Sequence, residues 1–269
     1  MCINHHKETL NAVAKDLYSD LAKPVAKETG KLISLIPRAI KASLLPVEKW
    51  ILNREYSLKE AKKLLENKLS NVSPERITVP EAYIAVPAIN ALSYSSGSID
   101  LIDLYANLLA TSMIEDNKWD VHPSFVEIIK QLLPDEAKLL KEIASHEGEN
   151  EFPLISLEMK KQENNSFSYE RYVKVNNFTN IGDNVCDIPE KTITYIDNLV
   201  RLRIIDIHED ESASGYNYTE LEKHDFIENF KSSHSVYDGF EWGFKHYMFK
   251  VTQFGFDFID ICVLGKKIN

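Results

Sequence analysis

Tyr195-Ile196-Asp197-Asn198-Leu199-Val200-Arg201-Leu202-Arg203-Ile204-Ile205-Asp206-Ile207 is the stretch that decides how the C-terminal half of this 269-residue chain is read. Pro189 opens a helix, because proline suits a first turn whose N–H has no partner in any case. Ile193, Ile196, Leu199 and Val200 then fall at helical spacing, which predicts a helix to about Arg203. Ile204-Ile205-Asp206-Ile207 follows at once as a short strand. From residue 135 the order is helix, strand material, helix, short strand, excursion, strand, helix. A helix that passes directly into two antiparallel strands and a closing helix is the wiring of a winged helix.

The flanking segments fill in that order. Ile155, Leu157 and Met159 alternate with Ser156, Glu158 and Lys160, the period of a half-buried strand. Phe167, Tyr169, Val173 and Val175 repeat the pattern, with Gln162–Asn165 as the turn between. Thr219-Glu220-Leu221-Glu222 is a capping box that starts an inserted helix. Tyr247–Val251 reads as a strand, and Thr252 caps a last helix carrying Phe254, Phe258, Ile259, Ile261 and Cys262. The hairpin at 152–175 and the insertion at 209–245 depart from a minimal winged helix.

Upstream the chain is helical. Ser57-Leu58-Lys59-Glu60 is a capping box leading into Ala61, Leu64, Leu65 and Leu69. After an extended stretch with Pro74 and Pro80, a short helix is expected from Pro87 to about Ser93. Ile99–Ile114 is apolar almost all round, which marks a buried central helix. Pro123 opens a helix in which Phe125, Ile128, Ile129, Leu132 and Leu133 face inward. Pro134-Asp135-Glu136 starts the next, with Leu139, Leu140, Ile143 and Ala144 inside. The expected fold is therefore mainly α with a smaller α+β part. Residues 1–133 form a helical bundle with a basic arm, and 134–269 form a modified winged-helix-like domain. The length agrees with two units of roughly 100–150 residues each.

The net charge of −10 is unevenly spread: residues 1–70 carry +5 and the remainder −15. A basic arm on an acidic body points to an anionic partner or to the body itself. Lys27, Lys31, Arg38 and Lys41 are interleaved with Leu32, Ile36 and Leu44. An apolar face beside a basic one is how an interfacial helix holds an anionic membrane. The other reading is a helix docked on the protein's own core with its lysines in water. Pro37 and Pro46 break the run, and it is too short and too charged to span a bilayer. The three cysteines, Cys2, Cys186 and Cys262, form no framework, and the N-terminus lacks a signal-peptide pattern, so a cytoplasmic protein is expected.

No motif points to catalysis. There is no G-x-S-x-G, phosphate loop or H-E-x-x-H. The histidines lack metal-ligand spacing, and His224-Asp225 is a lone dipeptide. Cys186, just ahead of a helix start, is read as a small apolar residue. The expectation is a non-enzymatic protein with no metal and no cofactor. The winged-helix surface, Lys191, Thr194 and Arg201, is opposed by Asp187, Glu190 and Asp197, and the wing carries Asp206, Glu209, Asp210 and Glu211. Phosphate contact needs an excess of cations, so nucleic acid is disfavoured and a protein partner is preferred. A second copy of the chain and an anionic membrane surface complete the set of expected partners.

Several stretches together resemble the bacterial abortive infection alpha family. They are Lys23-Pro24-Val25-Ala26-Lys27-Glu28-Thr29-Gly30-Lys31, Ile84-Ala85-Val86-Pro87-Ala88-Ile89, Leu104-Tyr105-Ala106-Asn107-Leu108-Leu109, and His122-Pro123-Ser124-Phe125-Val126-Glu127-Ile128-Ile129. Tyr105, Asn107, His122, Pro123 and Phe125 stand out within them. The resemblance covers about residues 15–145 and extends more loosely to Val251-Thr252-Gln253-Phe254-Gly255. It implies a domain of unknown function linked to phage defence, and it implies no catalytic residue. His122-Pro123 has a local reading as well, since proline there starts a helix.

Overall fold

A computed structural model describes residues 55–92, 98–146, 148–162 and 169–268. The chain divides into two compact units, one running to Ala137 and resuming at Asp257, the other Lys138–Phe256. The described part combines many helices with one four-stranded antiparallel sheet, an α+β architecture. The expected division falls at 133/134 with all later residues in one domain. The contacts instead assign Asp257 onward to the first unit.

In the first unit, α1 (Glu55–Leu69) buries Ala61, Leu65 and Leu69 at intervals of four. It is already helical at Glu55, so Ser57 lies inside it and the expected capping box is not its start. α2 (Ala82–Leu92) begins five residues before the expected Pro87, which sits inside the helix. Proline removes one internal hydrogen bond at a cost of about 3 kcal/mol. Burial of Ile84, Ala85, Ala88 and Ile89 on both sides of it offsets that loss. α3 (Ile99–Ser112) is capped by Ser98, whose hydroxyl accepts from the Leu101 amide at 3.3 Å. It packs against α1, α2 and α4 (Ser124–Ile129), and every residue from Leu104 to Ser112 is buried, as its lack of a polar face predicts. α4 stops at Ile129, so Leu133 leaves the helical register and is 52% exposed rather than facing inward. α5 (Pro134–Ser145) starts where expected, and the Glu136 carboxylate accepts from the Leu133 amide at 2.6 Å.

The second unit is built on β1 (Phe152–Gln162), β2 (Tyr169–Phe178), β3 (Ile205–His208) and β4 (Glu241–Val251), in the order β2-β1-β4-β3. β4 starts six residues earlier than the sequence pattern indicated. β1 is central and is covered on both faces, which corrects the half-buried expectation. On the Leu157 side lie Leu221 of α7 (Thr219–Glu222) and Ile227 of α8 (Asp225–Ser233). On the opposite side Tyr247 Oη donates toward Asn176 and Asn177, and Asn177 donates to Asp197 of α6 (Thr192–Arg201) at 2.8 Å. Ser156 and Glu158 are therefore inside, Glu158 at 1% exposure. The Ser156 hydroxyl donates to Glu158 Oε1 at 3.1 Å. Lys160 Nζ lies 3.4 Å from Oε2 but gives its hydrogen bond to the Phe244 carbonyl, so Oε2 has an ion pair without a hydrogen bond.

Two bulges in the β1–β2 pairing shift the phase of β2, so Val173 is exposed although Val175 is buried. The insertion forms α7 and α8 rather than one helix, and the side chain that caps it is His224, not Thr219. α6 ends in a Schellman motif: the Ile204 amide reaches the Leu199 carbonyl at 3.0 Å and the Arg203 amide reaches Val200 at 2.9 Å. Arg203 takes the left-handed position usually given to glycine, at φ 61°. The last helix, α9 (Gln253–Phe258), passes into a π-helical turn, Ile259–Val263. Within the first unit, the Phe258 ring meets Phe125 edge-on at 5.4 Å, and Asn107 Nδ2 donates to the carbonyls of Cys262 (2.8 Å) and Val263 (3.1 Å).

Candidate functional site

One concavity among the described residues lies within the second unit. It is a pocket of about 490 Å3 between the loop after β2, the start of α6 and α8. That volume is in the range of small-molecule sites. Phe178, Ile193, Phe226 and Phe230 form its apolar walls, with Phe178 buried at the floor. Phe178 and Phe226 stack in parallel at 5.3 Å. Glu190, Asp225 and Asn229 are exposed lining residues, and Asp183 stands beside His224.

His224 is fixed by two hydrogen bonds that settle its tautomer. Its Nδ1 accepts from the Phe226 amide at 3.1 Å and so caps α8. That nitrogen must be unprotonated, so Nε2 carries the proton and donates to Asp183 Oδ2 at 2.8 Å. The ring is a neutral imidazole with both nitrogens committed. The dipeptide that looked isolated in sequence thus gains its partner from 41 residues away. No spacing rule announces that pairing, because Asp183 sits in an irregular loop. The walls were equally hidden, since Phe226 and Phe230 read as an ordinary helical stripe.

Three other nucleophilic or titratable groups, Cys186, Cys262 and Tyr105, are enclosed. Cys186 is buried near Gly182, where an added Cβ would meet its sulfur at 3.2 Å. Full burial pushes the Cys262 thiol well above its ordinary range. Burial also raises the Tyr105 hydroxyl, with Glu127 and Cys262 adding to the shift. Among the described residues, no group of three or more His, Cys, Asp or Glu side chains is placed to hold a metal ion.

The residues singled out from the sequence separate into three groups. Lys27, Lys31, Leu32, Ile36, Arg38, Lys41 and Leu44 lie outside the described residues. Tyr105, Asn107 and Phe125 are buried and make structural contacts in the first unit. His122 Nδ1 accepts from the Ser124 amide at 3.1 Å, with Pro123 between them, so this pair shapes the start of α4. Lys191, Thr194 and Arg201 are exposed along α6, with Arg201 holding Asn198 Oδ1 at 2.7 Å. The acidic loop after β3 takes up the lysines of β4: Lys245 pairs with Glu209 at 2.6 Å and Lys250 with Glu211 at 2.7 Å. The Lys245 contact holds the Glu209 carboxyl below its usual range.

The family model described as abortive infection alpha matches residues 53–262. The chain belongs to the abortive infection alpha family. The match runs through both units, farther than the first 145 residues that the sequence resemblance stressed, and the Lys23–Lys31 stretch falls outside it. Searches of curated proteins and of solved structures found no match. In this abortive infection alpha chain the family-like residues Tyr105, Asn107 and Phe125 are core contacts, not a reactive cluster. Among the described residues no helix is long and apolar enough to cross a membrane.

Proposed function

We propose that this chain is a non-enzymatic, cytoplasmic component of phage defence that works by binding. The observation that carries this reading is the imidazole of His224, whose two nitrogens are both occupied by the protein itself. A general base needs a ring nitrogen within reach of substrate, and this one offers none. The pocket beside it has the walls of a binding site. Efficiency of plating under phage challenge tests the reading. His224→Asn keeps an acceptor at the N-cap and is expected to cost less than about threefold in protection, since Asn is among the best caps. Loss of protection to the vector level in a folded His224→Asn protein would mean that the imidazole does chemistry.

The wiring of the second unit supports a modified winged helix. α6 runs into β3, β3 pairs with β4, and β4 pairs with β1. On that reading the outer face of α6, with Lys191, Thr194 and Arg201, is offered to a protein. Asp197 on the same face and the Glu209 and Glu211 pairs with β4 lysines disfavour phosphate. The basic segment with Lys27, Lys31, Leu32, Ile36, Arg38, Lys41 and Leu44 is proposed to bring the protein to the inner membrane surface. Flotation with vesicles rich in phosphatidylglycerol checks this. The wild type is expected to float, and a Lys27/Lys31/Arg38/Lys41→Glu variant is expected to stay at the bottom. Equal behaviour of the two overturns the membrane role.

A further inference from the structure

The walls and rim of the pocket in the second unit differ sharply in chemistry, and the difference selects a ligand. The walls offer three phenylalanine rings, Phe178, Phe226 and Phe230, with Ile193 and Pro189. Phe178 and Phe226 stack on each other and Phe230 stacks on His234, so the rings form a firm apolar wall for a ligand's carbon body. Asp183, Glu190 and Asp225 are the charged lining residues, and no lysine or arginine is among them. His224 does not offset them, because its Nδ1 accepts a hydrogen bond and the ring is neutral. The N-termini of α6 and α8 oppose this with about half a positive charge each. The Phe226 amide at the α8 end is already taken by His224. Three carboxyl groups outweigh two half charges, so the pocket favours positive ligands.

We propose that this pocket binds a small organic cation: an ammonium group attached to an aromatic or branched apolar body. The apolar body fills the space against Phe178, Phe226 and Ile193. The ammonium lies toward Glu190 and Asp225, which are exposed lining residues. A volume of about 490 Å3 holds one such ligand and its water. The proposal rests on the reading of the protein as a binder rather than an enzyme, and it adds the chemistry of what is bound.

Calorimetric titration of the full chain with three probes of similar size tests it: 2-phenylethylammonium, 2-phenylethanol and 3-phenylpropionate. The ammonium is expected to bind at least tenfold more tightly than the alcohol, with no heat from the carboxylate. Its advantage should shrink as salt rises, because the rim charges are exposed. A Glu190→Gln/Asp225→Asn variant should lose that tenfold preference while still binding the alcohol. Both positions are exposed, and an unchanged melting temperature confirms that the variant folds. Equal binding of all three probes, tighter binding of the carboxylate, no binding of the ammonium, or an unchanged preference in the variant each overturns the proposal. These outcomes are separable from the plating test of His224→Asn, which reads whether the imidazole reacts and does not depend on the probe.

Discussion

Gly255→Ala is expected to destabilise the protein by about 3 kcal/mol or more, the upper range for forcing a group into a filled site. A Cβ at Gly255 would lie inside contact distance of the Ile204 carbonyl and 2.9 Å from Val251 Cγ1. The carbonyl cannot step aside. It accepts the Thr252 amide at 3.0 Å, and the Ile204 amide is itself held by the Leu199 carbonyl in the Schellman turn. The close approach arises because Thr252 caps α9 while gripping the end of α6. Its hydroxyl accepts the Gly255 amide at 2.8 Å and donates to the Arg203 carbonyl at 2.7 Å. A urea melt checks the prediction, with a lower midpoint at unchanged slope as the expected result. A variant within about 0.5 kcal/mol of wild type, the ordinary range for neutral surface changes, would show that the backbone relaxes freely here. The Val251–Gly255 stretch shared with the family therefore has a packing cause.

Asn107→Asp is the second large effect. The change is nearly isosteric, yet it removes both N–H groups that reach the Cys262 and Val263 carbonyls. Asn107 is 2% exposed, so those carbonyls gain no water in exchange. Leaving buried acceptors unmatched costs about 1–3 kcal/mol each, and an ionised carboxylate beside them costs more. A loss of about 3–5 kcal/mol is expected at pH 7. The loss should shrink on acidification. Burial raises the aspartic acid pKa above its unfolded value, so the neutral form, which can donate one hydrogen bond, is favoured in the fold. Its stabilising effect is full below the unfolded pKa, about 4, and fades as pH rises through the folded one. Melts at pH 4.5 and pH 7 compare the variant with wild type. A gap that does not narrow at the lower pH contradicts this account.

Much of the fold was legible because apolar spacing follows burial closely in α3, α5 and α6. The misreadings share a cause: a local rule met a tertiary fact. Pro87 looked like a first turn, but the helix around it buries both flanks. Leu133 kept perfect spacing after its helix had ended. Glu158 looked solvent-facing because alternation shows one apolar face and cannot show that a second layer covers the other. The two bulges displaced Val173 with no glycine or proline to announce them. The pocket was less legible still. It depends on Asp183 meeting His224 and on Phe178 meeting Phe226, pairs brought together only by the β2-to-α6 loop and the insertion.

The central place of β4 has a consequence for synthesis. Residues 241–251 zip between β1 and β3, and the stretch just after them delivers Phe258 to α4 and Cys262 and Val263 to α3. While a ribosome is still translating residue 230, β1 has an unpaired edge, Phe125 has not met Phe258, and Asn107 has not met Cys262 and Val263. Neither unit can complete until residues 241–263 emerge, so both wait for the same segment. A nascent chain is therefore exposed to chaperones and proteases until residues 241–263 have emerged, and stop codons ahead of residue 241 should yield fragments that the cell clears rather than half-working domains.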